Sequence, residues 1–255
     1  MNLSNEFLII SLLFFFVSFL YSSVGFGGGS SYISILIIFG FSYELIPLIS
    51  LPCNIVVVSI VLLFHRKNGY LDISKTLPFV LGSIPLAFFG GVIPVSKTTF
   101  SLVLGISLLI ASIRLIIIKE SQIYNNDEKD GHIFNNNIFK FVVGSLIGFI
   151  SGVSGIGGGI FLSPILYLIK FGNPREIISA SSLFIFVNSF SGIIGQLVKT
   201  KEVTISPLFI LILIFSVMLG GILGSLTSLN FLSKKTIKIT TGLLVLYAGI
   251  KILLG

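Results

Sequence analysis

Two matching glycine clusters are the strongest candidates for a binding site in this chain. The first reads Gly-Phe-Gly-Gly-Gly at 25–29, and the second reads Gly-Ile-Gly-Gly-Gly at 155–159. Each interrupts a strongly apolar run, and because glycine inside a helix costs roughly 1 kcal/mol relative to alanine, each predicts a break between two helices. A helix that starts after such a break has N–H groups without acceptors and the positive end of its dipole, which together favour an anion.

Neutral polar side chains near the two breaks could complete such a site. Serine hydroxyls flank both clusters and donate hydrogen bonds without the desolvation cost of a buried lysine. The third apolar run of each half adds asparagines, whose buried amides need hydrogen-bond partners. Close helix packing remains the competing interpretation of the glycines, and interhelical hydrogen bonding that of the asparagines. The predicted substrate-binding residues are Gly25, Gly27, Gly28, Gly29, Ser30, Ser31, Asn54, Gly155, Gly157, Gly158, Gly159, Ser181, Ser182 and Asn188.

The composition indicates a polytopic membrane protein. Hydrophobic residues make up 54% of the chain and charged residues 10%, whereas a soluble domain has about 25% charged residues. The net charge of +7 arises from basic residues scattered over loop ends, so we expect contact with membrane lipid and none with nucleic acid. There is no Walker motif, no metal-ligand spacing and no hydrolase constellation. We therefore expect no enzyme activity, no cofactor and no metal site.

The second half of the chain repeats the pattern of the first. Gly155 lies 130 positions after Gly25, and Gly159 lies 130 positions after Gly29. We predict a first membrane repeat at 1–118, a polar linker at 119–138 and a second membrane repeat at 139–255. Matching breaks in two halves are the best sequence indication of a transporter's binding site.

The runs after the glycine clusters, 30–41 and 160–169, are short for membrane spans. Twelve helical residues rise about 18 Å, whereas the hydrocarbon core is about 30 Å thick. We predict an all-α fold of two homologous repeats, each with about four spans plus a short broken or re-entrant helix after its glycine cluster. The alternative has five spans per half and inverted repeats. In the eight-span arrangement basic residues divide ten to six between the two sides, which predicts cytoplasmic termini and a cytoplasmic linker in the cell (inner) membrane.

These motifs resemble the TauE/SafE family of sulfite exporters, also called the 4-toluenesulfonate uptake permease group. The resemblance covers nearly the whole chain. It rests on the glycines at 25–29, on the stretch Gly-Val-Ser-Gly-Ile-Gly-Gly-Gly-Ile-Phe-Leu-Ser-Pro at 152–164 and on Ala-Ser-Ser at 180–182. The family places a proline a few residues after the triple glycine. Pro164 fits that pattern, while the first half has Ser34 there.

The resemblance implies an inner-membrane carrier for small sulfur oxyanions such as sulfite, sulfonates or sulfoacetate. Combined with the helix-start argument, it predicts a secondary transporter that binds its anion at paired helix starts near the bilayer midplane and alternates access. A proton or sodium ion is a possible coupling ion, and the oligomeric state is open. The alternatives are an anion channel and a membrane scaffold or assembly factor that transports nothing.

Overall fold

A computed structural model describes residues 3–23, 27–67, 69–117, 136–169, 171–200, 206–226 and 234–254. All regular structure in these ranges is helical, which confirms the predicted all-α polytopic fold. The ten helices found there are α1 (Leu3–Ser23), α2 (Gly29–Ile38), α3 (Leu45–Lys67), α4 (Ile73–Val92), α5 (Lys97–Ile117), α6 (Asn137–Ser154), α7 (Gly159–Leu168), α8 (Pro174–Lys199), α9 (Pro207–Leu226) and α10 (Lys234–Leu254).

Six helices in the described ranges are long and apolar enough to cross a membrane, namely α1, α3, α4, α6, α8 and α9. The short helices expected after the glycine clusters are α2 and α7, with 10 residues each. Ten residues rise about 15 Å, which is half of the hydrocarbon thickness. Most of the predicted linker, residues 119–135, lies outside the described residues, so the repeat boundaries stay a prediction.

Polar side chains mark where three of the long helices start. Asp72 accepts a hydrogen bond from the Lys75 backbone N–H at 3.0 Å and caps α4. Asn136 caps α6 by accepting from the Ile138 N–H at 2.9 Å. At α8, Asn173 accepts from the backbone N–H of the glutamate three residues later, and that carboxylate accepts from the Asn173 N–H, so the two form a capping box.

Helices of the two halves pack against each other in a reciprocal pattern. The fourth helix of the first half packs on the first helix of the second half, α4 on α6. The converse pair, α1 on α9, also packs together, while α3 contacts its counterpart α8 and α5 contacts its counterpart α10. Exchanging the halves therefore interchanges the first two contacts and maps each of the other two onto itself.

Glycine contacts give the relative directions of these helices. Methyl groups built on Gly144 and Gly152 of α6 would touch Phe79 and Ala87 of α4. The numbers rise together, so α4 and α6 run in the same direction. The pair α1 and α9 also runs in one direction, by the contacts of Phe15 with Gly220 and of Phe19 with Gly224.

The two pairs of counterpart helices run in opposite directions. His65 near the end of α3 contacts Ser179 near the start of α8, and Leu51 near the start of α3 lies beside Gly192 toward the end of α8. In α5 and α10, Gly105 contacts Leu253 and Leu108 contacts Gly249. Counterpart helices that run in opposite directions are a feature of inverted repeats.

The short helix α2 explains this inversion. Phe7 near the start of α1 and Phe41 just after α2 both stack on Phe209, with ring centroids 4.2 Å and 6.0 Å away. The chain thus returns after α2 to the side from which α1 came. Because the break at Gly27 and Gly28 lies in the interior of the protein rather than at its surface, the ten residues of α2 suffice for that return. These directions match the alternative of five segments per half and differ from those of the eight-span arrangement. The number of bilayer crossings stays a prediction.

Candidate functional site

The two glycine breaks meet in the interior of the protein. A methyl group built on Gly29 would lie 2.1 Å from the carbonyl oxygen of Ile156, which belongs to the second break. Only a residue without a side chain allows so close an approach of the two backbones. Since α2 starts at Gly29 and α7 starts three residues after Ile156, the two helix starts lie together.

Asn54 of α3 joins the two breaks. Its Nδ2 donates a hydrogen bond to the Ile156 carbonyl oxygen at 3.1 Å. Its Oδ1 lies 3.1 Å from a methyl group built on Gly27 and has no hydrogen-bond partner among the described residues. One turn earlier on the same helix, Ser50 donates to the Gly155 carbonyl oxygen at 2.9 Å. Side chains of the first half thus hold the carbonyls of the second break.

The two clusters share a sequence pattern but differ in backbone conformation. Gly155, Gly157 and Gly158 have φ angles of +76°, +89° and +81°, in the left-handed region that favours glycine. In the first break Gly28 has a φ of −91°. Neither Gly27 nor Gly29 has a left-handed φ. Close packing therefore requires glycine in the first break, and in the second the backbone conformation requires it as well.

The starts of α2 and α7 have no capping side chain, since glycine precedes each of them. The Tyr32 N–H donates to the Gly28 carbonyl oxygen at 2.9 Å, and the Leu162 N–H donates to the Gly158 carbonyl oxygen at 3.1 Å. In α7 the Phe161 N–H also donates to the Gly158 carbonyl oxygen, at 3.1 Å. The N–H groups that come before these bonds, at residues 29–31 in α2 and 159–160 in α7, have no acceptor within the helix. Both starts therefore offer backbone donors and a positive dipole end to the interior.

One face of α8 carries polar groups without partners, and Ile185 and Ser189 of this face lie beside these starts. Ile185 of this face would contact methyl groups built on Gly27, Gly157 and Gly159, and Ser189 Oγ lies 3.2 Å from the methyl position of Gly157. The fully buried side-chain atoms without a hydrogen-bond partner on α8 are Ser181 Oγ, both amide atoms of Asn188, Ser189 Oγ and Gln196 Oε1. A buried polar group left unpaired costs about 1–3 kcal/mol, so such a cluster indicates a ligand or ordered water.

The structure brings several of the predicted site residues together. Asn54 would contact methyl groups built on Gly27, Gly29 and Gly157. A methyl group built on Gly159 would contact Ile185. On α8, Ser181 and Asn188 are buried without partners. Ser30 is buried in the first turn of α2.

Other predicted residues make structural contacts. A methyl group on Gly28 would meet Val17 and Tyr32, and one on Gly158 would meet Phe184 and Ile147. Gly155 ends α6, where its N–H donates to the Ser151 carbonyl oxygen at 2.8 Å. Ser31 Oγ shares a hydrogen bond with the Tyr21 hydroxyl at 3.0 Å. Ser182 is buried and has an interaction of its own, and Gly25 lies outside the described residues.

The sequence-based selection missed Ser50, Ile185 and Ser189. Ser50 precedes Asn54 by four residues and Ser189 follows Ile185 by four residues. Because residues four apart share a helix face, helical spacing from Asn54 would have identified Ser50. No comparable signal marks Ile185, an apolar residue in an apolar run.

Polar contacts join α3 and α8 at one end of the site. His65 Nδ1 and Ser179 Oγ share a hydrogen bond at 2.8 Å. In the segment after α3, the Tyr70 hydroxyl accepts a hydrogen bond from the Arg175 guanidinium, which also lies over the Tyr70 ring, 5.1 Å from its centroid. These contacts link the end of α3 to the start of α8.

Comparison with known proteins places this chain among membrane transporters. Residues 10–252 match the family model described as "Sulfite exporter TauE/SafE". The chain is 25% identical over 253 residues to the "Probable membrane transporter protein y4hK" of Sinorhizobium fredii, covering 98% of this chain and 100% of that protein. It is 23% identical over 198 residues to the "Probable membrane transporter protein YunE" of Bacillus subtilis, covering 72% of this chain and 71% of that protein. No solved structure matches it.

Proposed function

Because this chain belongs to the sulfite exporter TauE/SafE family, and is thus a membrane transporter and not an enzyme, we propose that it is a secondary transporter of a small sulfur-containing oxyanion. Sulfite, sulfonates and sulfoacetate are the candidate substrates. The observation that carries this proposal is the meeting of two uncapped helix starts beside buried polar side chains without partners.

The chemistry of these groups favours an anion. The first-turn N–H groups of α2 and α7 are donors at positive dipole ends. Ser181, Asn188 and Ser189 add hydroxyl and amide donors that nothing else in the described chain uses. A neutral donor set of this kind binds an oxyanion without burying a cation, whose desolvation in a membrane is costly. The same polar cluster argues against the scaffold alternative, which predicts an apolar packed centre.

The reciprocal packing of the halves suggests how access alternates. Rocking of one repeat against the other around a fixed central site is a general mechanism of transporters with inverted repeats. The contacts of His65 with Ser179 and of Tyr70 with Arg175 join α3 to α8 at one end. We expect these contacts to open when the site faces that end.

The inverted arrangement also changes the proposed orientation. With five segments per half, the linker and the two termini lie on opposite sides. Counted by place in the sequence, twelve basic residues fall on the linker side: Arg66, Lys67, Lys75, Arg114, Lys119, Lys129, Lys140, Lys170, Arg175, Lys234, Lys235 and Lys238. Four fall on the side of the termini: Lys97, Lys199, Lys201 and Lys251. By the positive-inside rule we propose a cytoplasmic linker and external termini, in place of the cytoplasmic termini expected from eight spans.

Transport into proteoliposomes tests the function. Purified protein is reconstituted and uptake of sulfite, thiosulfate, sulfoacetate and sulfate is measured against protein-free liposomes. We expect saturable uptake of at least one sulfur oxyanion. Uptake that does not saturate and far exceeds carrier rates would identify an anion channel. Absence of any flux from protein shown to be folded would contradict the proposal.

Fusions to reporters test the orientation independently. Alkaline phosphatase is active only outside the cytoplasm, and green fluorescent protein folds best inside it. With external termini, a phosphatase fused to the C-terminus is active and a fluorescent protein at the same place is dark. A fusion truncated within the linker should give the reverse result. Equal reporter behaviour at the C-terminus and at the linker would support the eight-span arrangement.

A further inference from the structure

We infer that Asn54 makes the site selective for an oxyanion that carries a hydrogen-bond donor, namely the singly protonated hydrogensulfite rather than the sulfite dianion or a simple sulfonate. This inference rests on the proposed function, because it assigns the protonation state of the anion that the same site transports. It follows from one side-chain oxygen whose orientation is fixed and whose partner is missing.

The orientation of the Asn54 amide is set by its neighbours. Nδ2 donates to the Ile156 carbonyl oxygen at 3.1 Å. Turning the amide by half a rotation would point Oδ1 at that carbonyl oxygen, placing two acceptors against each other. The amide is held in one orientation by this bond, and Oδ1 must therefore point away from Ile156 toward the Gly27 side.

Asn54 Oδ1 is a buried acceptor beside the donors of the two helix starts. It is fully buried and has no hydrogen-bond partner. The surrounding helix starts and the hydroxyls of Ser181 and Ser189 can all donate to the oxygens of an anion. None of these donors needs an acceptor from the protein once an anion is bound. With these donors directed at the anion, Asn54 Oδ1 is left to a donor on the ligand itself.

Hydrogensulfite supplies such a donor and the sulfite dianion does not. Its hydroxyl would donate to Asn54 Oδ1 while its remaining oxygens accept from the helix starts. A dianion would place an unprotonated, negatively charged oxygen near Oδ1, and an alkylsulfonate would leave Oδ1 unpaired. A site built to hydrogen-bond a substrate hydroxyl rejects analogues that lack it, because its own polar group then stays buried without a partner.

The protein groups around Asn54 do not themselves titrate near neutral pH. Cys53, beside Asn54 on α3, and Tyr32 on α2 are titratable and buried, and both residue types are ordinarily neutral near pH 7. Tyr21 of α1 bonds Ser31. The charged or titrating residues of α1, α3 and α8 lie at their ends, at Glu6, His65, Arg66, Lys67, Arg175, Glu176 and Lys199, and α9 has none.

Competition between two anions of equal charge tests the inference. Uptake of labelled sulfite into proteoliposomes is measured on both sides of neutral pH, with methanesulfonate as competitor and, separately, as substrate. For the wild type, uptake at fixed total sulfite should fall with rising pH as hydrogensulfite is depleted. Methanesulfonate should compete at least about tenfold more weakly than hydrogensulfite. Because methanesulfonate does not titrate in this range, its own pH profile reports proton coupling or titration of His65.

Two variants separate the acceptor from the local structure. Asn54→Leu removes Oδ1 together with the bond to Ile156, whereas Ser50→Ala removes only the neighbouring bond to the Gly155 carbonyl oxygen. We expect the preference for hydrogensulfite over methanesulfonate to collapse by about tenfold or more in Asn54→Leu and to persist in Ser50→Ala, whatever their absolute rates.

Two outcomes would overturn the inference while leaving the proposed function intact. One is saturable sulfite uptake that increases with pH at fixed total sulfite. The other is wild-type protein that binds methanesulfonate as tightly as hydrogensulfite. Should Asn54→Leu fail to fold, the comparison of the two anions on wild-type protein still decides the matter. Absence of saturable uptake of every oxyanion would instead contradict the proposed function.

Discussion

The helices of this protein start in two different ways. At α4, α6 and α8 the start lies at a loop, and Asp72, Asn136 and Asn173 cap the first N–H groups with their side chains. At α2 and α7 the start lies in the interior, and the preceding residues, Gly28 and Gly158, have no side chain to cap it. Caps are thus present where water could have satisfied the N–H groups and absent where it could not. Because an unpaired N–H group in a membrane interior is costly, this difference supports the proposal that a ligand completes the interior starts.

Gly29→Ala should have the largest effect, because it forces the two interior starts apart. The added methyl group would lie 2.1 Å from the Ile156 carbonyl oxygen, a backbone atom that cannot rotate away. We expect a loss of about 3 kcal/mol of stability or failure to fold, measured by thermal unfolding in detergent. Gly40→Ala is the control, since its φ is +76° but nothing lies within 4 Å of the methyl position. It should cost about 1–2 kcal/mol. Equal losses would mean that the approach of the breaks is not tight.

Asn188→Leu should separate stability from transport. Both amide atoms of Asn188 are buried without partners, so an apolar side chain of similar size should leave the melting temperature unchanged or raise it. If Asn188 contacts the anion, uptake falls by about tenfold or more through lost affinity. Ser31→Ala provides the contrast, because Ser31 has a hydrogen-bond partner in Tyr21. This variant should lower stability without changing the substrate preference. A destabilised Asn188→Leu with normal uptake would point to interhelical hydrogen bonding.

Gly157→Ala and Gly27→Ala together measure the backbone difference between the two breaks. Both added methyl groups would meet Asn54 and Ile185. The methyl group on residue 157 would lie 2.9 Å from Asn54 Nδ2, and the one on residue 27 would lie 3.1 Å from Asn54 Oδ1. Only Gly157 has a left-handed φ, at +89°. Its variant should therefore lose about 1–2 kcal/mol more than the Gly27 variant in thermal unfolding. Indistinguishable losses would show that packing alone requires glycine in the second break.

Asp72→Asn should have the smallest effect and tests a peripheral start. The Lys75 backbone N–H bonded to the Asp72 carboxylate is the main reason that its pKa lies below the ordinary value of 3.8. Because the folded-state pKa is lowered, the contribution of the charged cap is present above the unfolded pKa and is lost as the pH falls through the folded one. Wild-type stability should therefore decline in this acid range relative to Asp72→Asn, whose amide caps the helix without titrating. Parallel pH profiles of the two proteins would contradict this.

Part of the site was predictable from local sequence. The positions of both breaks followed from the glycine content, because the cost of glycine in a helix depends on the residue itself. The short helices α2 and α7 followed from run length in the same way. The opposite directions of counterpart helices did not follow, because run length says nothing about the depth at which a break lies. A break in the interior of the protein lets ten residues return to the starting side.

The sequence by itself determined the membrane class, the duplicated breaks and the positive dipole ends that they create, since each depends on composition or on neighbours along the chain. The contact between the breaks, the bond from Asn54 to a carbonyl 102 positions away and the opposite directions of counterpart helices emerged in the folded protein alone. These features depend on which helices pack together. Such contacts between distant parts of the chain leave no periodic trace in either half alone.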